Sequence, residues 1–282
     1  MRRLVTTFFL TSLLVGAASV VSAAQGLEVV APKGVEVSVM VAPPGLQSLA
    51  ASRLPAFDIN PDGLPVFADG SNLRVFGSPN ALATAGSAPI GNFAWMRDGA
   101  LLLTTGSRLA GLGPKGVELG PETPVANMRV RPAGADTAYV FGGDREPDNH
   151  DVYLFSRDGR IAKLASLPSP VTDVAGDGDL TYIASGLALL RLKEGRPVQV
   201  VFKTPDPIVS LAEDSGRLFY ATTSSVGFLS RDGAAQDFIR GGGGLVRLHG
   251  DALFVMLANG SGILRFRPVS KFESEPAAMS AQ

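Results

Sequence analysis

The chain has 282 residues, a formal net charge of −1 and no cysteine. Near-neutral charge excludes a basic nucleic-acid binder, and the missing cysteines exclude disulfides, thiol catalysis and lipoprotein attachment. With 45% apolar and only 18% charged residues the chain is not disordered, and 33 glycines with 20 prolines suit a turn-rich all-β body.

The first element is an export signal. Arg2 and Arg3 precede a mostly apolar run from Leu4 to Val21, and Ser22-Ala23-Ala24 offers small residues for cleavage. These are the parts of a secretory signal peptide over 1–24. A cysteine-free exported chain fits a periplasmic or secreted location, with no membrane attachment once the signal is removed. Loss of the two arginines takes the mature charge to about −3.

An alternating apolar run, Val35–Val41, comes next and stands alone. After it, a strand-turn-strand phrase recurs six times. Its copies begin FDINPDG (57–63), FAWMRDG (93–99), MRVRPAG (128–134), TDVAGDG (172–178), VSLAEDSG (209–216) and LVRLHG (245–250). The turn glycines Gly63, Gly99, Gly134, Gly178, Gly216 and Gly250 step along the chain at roughly 34–44 residues, the period of one propeller blade. Alternation within each copy gives short strands A, B, C and D. Glycine-acidic turns close A to B, and proline-rich links join D to the next A, except for the glycine run Gly241–Gly244, which reads as a flexible link.

The sixth copy runs out after its third strand, while Val35–Val41 has no partner. Pairing the two closes the ring and removes two open sheet edges. The fold predicted is therefore an all-β six-bladed β-propeller over 35–268, its last blade closed by an N-terminal strand, with 269–282 as a disordered tail.

On these residues the chain resembles the six-bladed propellers of the NHL-repeat and gluconolactonase-like type. Leu64–Phe76, LPVFADGSNLRVF, is similar to the NHL pattern of two strands around a small turn. The resemblance implies a divalent metal in the central channel, held by a glutamate, asparagines and an aspartate at the starts of inner strands. The matching positions supply Asn92, Asn127 and Asp173, and no glutamate. A hard cation wants several anionic oxygens.

Two other sets of residues carry chemistry. If the apolar flanks of each A strand pack between blades, the residue between them faces the axis. That row reads Asp58, Ala94, Arg129, Asp173, Ser210, Arg247, with Asp58–Arg247 and Arg129–Asp173 as pairs from adjacent blades. It describes either hydrated, paired channel charges or a bipolar pocket for a small polar ligand. The second set is the long B-to-C loop of the third blade, with Asp144, Glu146, Asp148, Asn149, His150 and Asp151. It is acidic but lacks the spacing of a calcium loop. It shares a face with the proline-rich links, where a basic protein partner would dock. Trp95, the single tryptophan, reads as a core residue.

No nucleophile elbow, zinc-protease motif or phosphate loop is present, so neither catalytic residues nor a cofactor is expected. The function this supports is an exported, non-catalytic scaffold that binds a protein or a small polar ligand. The alternative is a metal-dependent, lactonase-like hydrolase with its site in the channel.

Overall fold

The computed structural model describes residues 26–41, 55–113, 116–143, 148–176, 179–193, 195–230 and 233–273. The signal segment, the loop positions Asp144 and Glu146, and the chain beyond residue 273 lie outside them, and for Asp148 only the backbone is described.

Six antiparallel sheets form six blades. Their inner strands are Phe57–Ile59, Ile90–Trp95, Arg129–Pro132, Val171–Gly176, Ile208–Asp214 and Gly244–His249. Each touches the next, and the sixth touches the first, so the ring is closed. Within a blade the order is sequential: in the fifth, Ile208–Asp214, Arg217–Thr222, Ser225–Leu229 and Ala235–Arg240. Tight turns close these hairpins with glycines in the left-handed region, such as Gly63 (φ 77°) and Gly99 (φ 85°).

The core is not one mass but six, each wedged between neighbouring blades. Phe57, Ile59, Phe254 and Met256 join blades six and one. Phe93, Leu101 and Leu103 of blade two pack on Val66 and Leu73 of blade one. Sheets whose two faces are both covered in this way explain why B strands are buried on both sides: Leu101–Thr105 and Ala252–Leu257 are buried at every position.

Closure follows the predicted route. Glu36–Val41 pairs antiparallel with Gly262–Arg267 from Glu36↔Arg267 to Val41↔Gly262 and completes blade six. The structure adds a second clasp. Glu28–Val29 pairs with Ala235–Arg240 as a fifth strand on blade five, so one N-terminal segment ties two blades.

Two segments depart from the sequence reading. The chain after Pro268 is not disordered throughout: Val269–Glu273 forms a 3-10 helix. Three-residue spacing puts Val269 and Phe272 on one side of such a helix. Both are buried between blades five and six, where Phe272 meets Phe219, Phe228, Phe238 and Phe266 at ring distances of 4.9–6.1 Å. The glycine run Gly241–Gly244 is a packing device and not a loose link. A Cβ at Gly243 would overlap the Thr222 carbonyl, and one at Gly244 the Met256 carbonyl. Glycine there lets three backbones meet.

Candidate functional site: the charged channel and its mouth

The apolar flanks of each inner strand bury between blades and turn the intervening residue to the axis. In the first blade Phe57 and Ile59 are buried, and Asp58 faces the channel between them. Asp173, Ser210 and Arg247 reach the same layer from blades four, five and six. The Arg247 guanidinium donates to Ser210 Oγ at 2.9 Å and to the Phe57 carbonyl at 2.9 Å. It lies 3.7 Å from Asp173 Oδ2 and 3.8 Å from Asp58 Oδ1. Ser210 in turn donates to Asp173 Oδ2 at 3.1 Å.

The arginine from blade three is Arg131, not Arg129. Arg131 Nε donates to Asp173 Oδ1 at 2.9 Å, and Nη2 reaches Oδ2 at 3.4 Å. Arg129 stands two residues earlier on the same side of the strand, and its guanidinium donates to the Thr172 carbonyl. The alternation Met128-Arg129-Val130-Arg131 points both arginines inward. Sequence could narrow the partner of Asp173 to this pair, and the stagger between blades chose the second.

The carboxylates also stitch blades together. Asp58 Oδ2 accepts the Trp95 N–H at 2.9 Å, and Asp173 Oδ2 accepts the Leu211 N–H at 2.9 Å. Ala94 has no polar atom to do the same for blade three. Asn92, two residues earlier, does it instead: Asn92 Oδ1 accepts the Val130 N–H at 3.1 Å.

Burial pushes the Asp58 pKa up to about 6. The Arg131 charge, the Trp95 and Ile59 N–H groups and the His249 charge pull against that rise. Asp58 is thus a carboxyl poised between its two forms near neutral pH.

This donor set does not suit a divalent cation. The channel acids Asp58 and Asp173 already face two guanidinium groups. Asn92 spends its oxygen on a backbone N–H, and Asn127 is exposed in a left-handed turn with φ 57°. Among the described residues no group of three or more His, Asp or Glu side chains is placed to hold a metal ion. Asn92 and Asp173, two of the ligands that the resemblance implies, are thus committed to protein donors.

Above the charged layer the channel widens into a cavity of about 540 Å³. It opens on the rim of the Asp-Gly turns, since Pro61, Gly99 and Gly250 form its lip. All six inner strands contribute. Blades four and five present the methyl groups of Ala175 and Ala212, while Val174 and Leu211 turn their side chains between blades, and the opposite arc carries Trp95, Arg97 and His249. Trp95 is half-buried and packs edge-on to Phe93 at 5.5 Å, so it is part of the cavity wall as well as of the core edge. The sequence reading placed it in the core alone. Trp95, Arg97, Arg131 and His249 were not singled out for the site from sequence. The available signal was position, because each lies at the turn end of an inner strand.

The described end of the acidic loop lies on the other face, beside the link from blade three to blade four. That end, Asp148–His150, is a single 3-10 turn held to the next link by Leu167 N–H donating to the His150 carbonyl at 3.0 Å. Asp151 is buried and structural. Burial raises its pKa, but hydrogen bonds from Lys163, Ser166 and Tyr153, with the Lys163 charge, outweigh that and hold it below the usual range. His150 Nδ1 lies 3.2 Å from the Leu167 carbonyl, and Asn149 is half-buried.

No family model and no curated protein matches the chain. Solved structures do. A gluconolactonase from Xanthomonas campestris aligns with a TM-score of 0.63 at 14% identity, over 91% of this chain and 99% of that one. Agrobacterium tumefaciens regucalcin, described as a calcium-binding protein, gives 0.57 at 14% identity over 76% and 89%. A surface component of the type-IX secretion system of Porphyromonas gingivalis gives 0.51 at 14% identity, and the match spans 75% of this chain but only 38% of that one. At this identity the likeness is one of fold alone, a β-propeller found in structures described as a gluconolactonase, a calcium-binding protein and a secretion-system surface component.

Proposed function

We propose that this chain is an exported, non-catalytic binding propeller that takes a small polar ligand into the channel mouth. One observation carries the reading: a cavity of about 540 Å³ to which all six inner strands contribute, closed below by the layer of Asp58, Asp173, Arg131 and Arg247. The size is within the roughly 300–1,000 Å³ of small-molecule sites, and Trp95, Ala175 and Ala212 offer apolar surface beside a few convergent polar groups. A salt-bridged floor is costly to desolvate and rigid once formed, which preorganises the site above it. The signal segment and the surface or secretion role of some propellers of this fold support export.

Trp95 makes the test direct, since it is the single tryptophan and lines the cavity. The mature chain is titrated with a panel of small polar compounds, reading tryptophan emission and melting temperature together. A ligand that shifts both, and loses its effect in Trp95→Phe by calorimetry, supports the reading. A panel in which nothing binds refutes it.

A hydrolytic reading is favoured by one feature, the Asp58 carboxyl held near pKa 6 at the cavity floor, where a general acid or base would sit. Lactone and ester turnover in the presence of chelator, abolished in Asp58→Asn, would replace the binding reading with this one.

A further inference from the structure

We infer that the ligand of the channel mouth is a small organic carboxylate with an apolar body. This rests on the cavity being a binding site and adds the chemistry of what fills it.

Among the described residues, the carboxylates that line the cavity are already occupied. Asp58 accepts the Trp95 N–H and lies beside Arg247. Asp98 is paired with Arg157 at 2.6 Å and accepts the Ala100 N–H at 3.0 Å. Glu213 accepts the Gly216 N–H at 2.8 Å. Asp173, below, is held by Arg131, Ser210 and Leu211.

The cationic side of the mouth is not used up in the same way. Arg97 extends from blade two across the opening toward blade four, where its Nη2 reaches the Gly176 carbonyl at 3.4 Å. That is one long hydrogen bond to a neutral acceptor, for a group that carries five donors and a full charge. Its side chain is exposed. His249 stands on the neighbouring rim, its ring over the turn of blade one, 3.5–3.6 Å from where a Cβ on Gly63 would be. A planar guanidinium at a cavity entrance, held by one weak contact among the described residues, matches a carboxylate in the two-pronged geometry that this pair prefers.

The rest of the cavity selects the body. Ala175 and Ala212, two residues on from Asp173 and Ser210, turn their methyl groups to the channel and form a wall without hydrogen-bonding side chains, and Trp95 offers an indole opposite. An inorganic anion would satisfy Arg97 and leave this wall wet. A neutral apolar molecule would fill the wall and leave Arg97 without gain. A carboxylate on an aromatic or short aliphatic body uses both.

The experiment uses benzoate and hexanoate as probes, benzamide as the neutral isostere of benzoate, and inorganic phosphate, each titrated calorimetrically into the mature chain. Benzoate or hexanoate is expected to bind at least tenfold more tightly than benzamide and phosphate. In Arg97→Gln its affinity should fall at least tenfold while benzamide is unaffected, and Arg97→Lys should recover part of the loss. Both substitutions are at an exposed side chain, and an unchanged melting temperature confirms that the variants fold. If benzamide binds as well as benzoate, or benzoate binding survives in Arg97→Gln, the carboxylate assignment falls and the cavity remains a ligand site. If phosphate competes equally with benzoate, the apolar-body part falls. If none of the four binds, the assignment falls, and a hit elsewhere in the wider panel would still uphold the cavity as a ligand site.

Discussion

Asp58→Asn should make the protein more stable at alkaline pH, and the size of the gain follows from where the carboxylate sits. Its pKa rises from 3.8 to about 6, chiefly through burial. At about 1.4 kcal/mol per tenfold change in proton affinity, ionising Asp58 costs the folded state about 3 kcal/mol at pH 8. The sign is that of a group whose folded pKa is raised: between pH 3.8 and about 6 the folded chain holds a proton that the unfolded chain has released. Stability from this group is therefore greatest in acid, declines as pH rises toward 6, and levels off above it. Asparagine keeps an oxygen for the Trp95 N–H, stays neutral throughout, and so stands in for the protonated acid. The assay is urea unfolding of both proteins at pH 5 and pH 8. The advantage of the variant should be about 1.5 kcal/mol larger at pH 8, roughly half the full effect, because pH 5 already lies within the titration window. Other acids, such as Asp98 and Asp151, titrate in both proteins and cancel from the comparison. A pH-independent difference would refute the reasoning. So would a variant that is weaker at pH 8 than at pH 5, because the attraction of Arg247 and Arg131 would then outweigh desolvation.

Phe272→Ala should cost about 3–5 kcal/mol by denaturant unfolding, since it empties a fully buried wedge among four phenylalanines, and a cost under about 1 kcal/mol would show that the C-terminal helix is not part of the core. Asp173→Asn should destabilise by about 3–5 kcal/mol by leaving Arg131 and Arg247 buried without their shared anion, and combining it with Arg131→Met should recover part of that loss. Removing residues 1–34 should lower the melting temperature modestly by stripping the fifth strand from blade five, whereas removing 1–41 should lower it steeply and promote aggregation by exposing the edge of Gly262–Arg267; equal effects would contradict the closure. Gly243→Ala should lower the melting temperature by several degrees, because its Cβ has nowhere to go but the Thr222 carbonyl, and a neutral result would show that the link is as loose as its composition suggests.

The sequence by itself determined the architecture. Six copies of an alternating strand-turn-strand phrase, spaced by a blade's length, cannot bury their apolar faces except against one another, so repetition specifies a ring. A last copy that lacked a strand and an orphan run at the N-terminus specified how the ring closes, because an unpaired edge is costly wherever it lies. Alternation also settled which side chains turn inward, so Asp58, Asp173, Ser210 and Arg247 were nameable as a channel set before any coordinates. Only the tertiary structure decided how they meet. Period two says which way a side chain points but not how far along the axis each blade is staggered, and that stagger gave Asp173 to Arg131 and sent Arg129 to the Thr172 carbonyl. The cavity was invisible for the same reason: Trp95, Arg97 and His249 lie in three separate stretches of chain, each ordinary alone, and become one site only because the ends of the inner strands converge at the same end of the ring. The acidic loop, conspicuous as a string of charges, lost Asp151 to its own blade, since a carboxylate that begins a strand is taken by the donors beside it before any partner arrives.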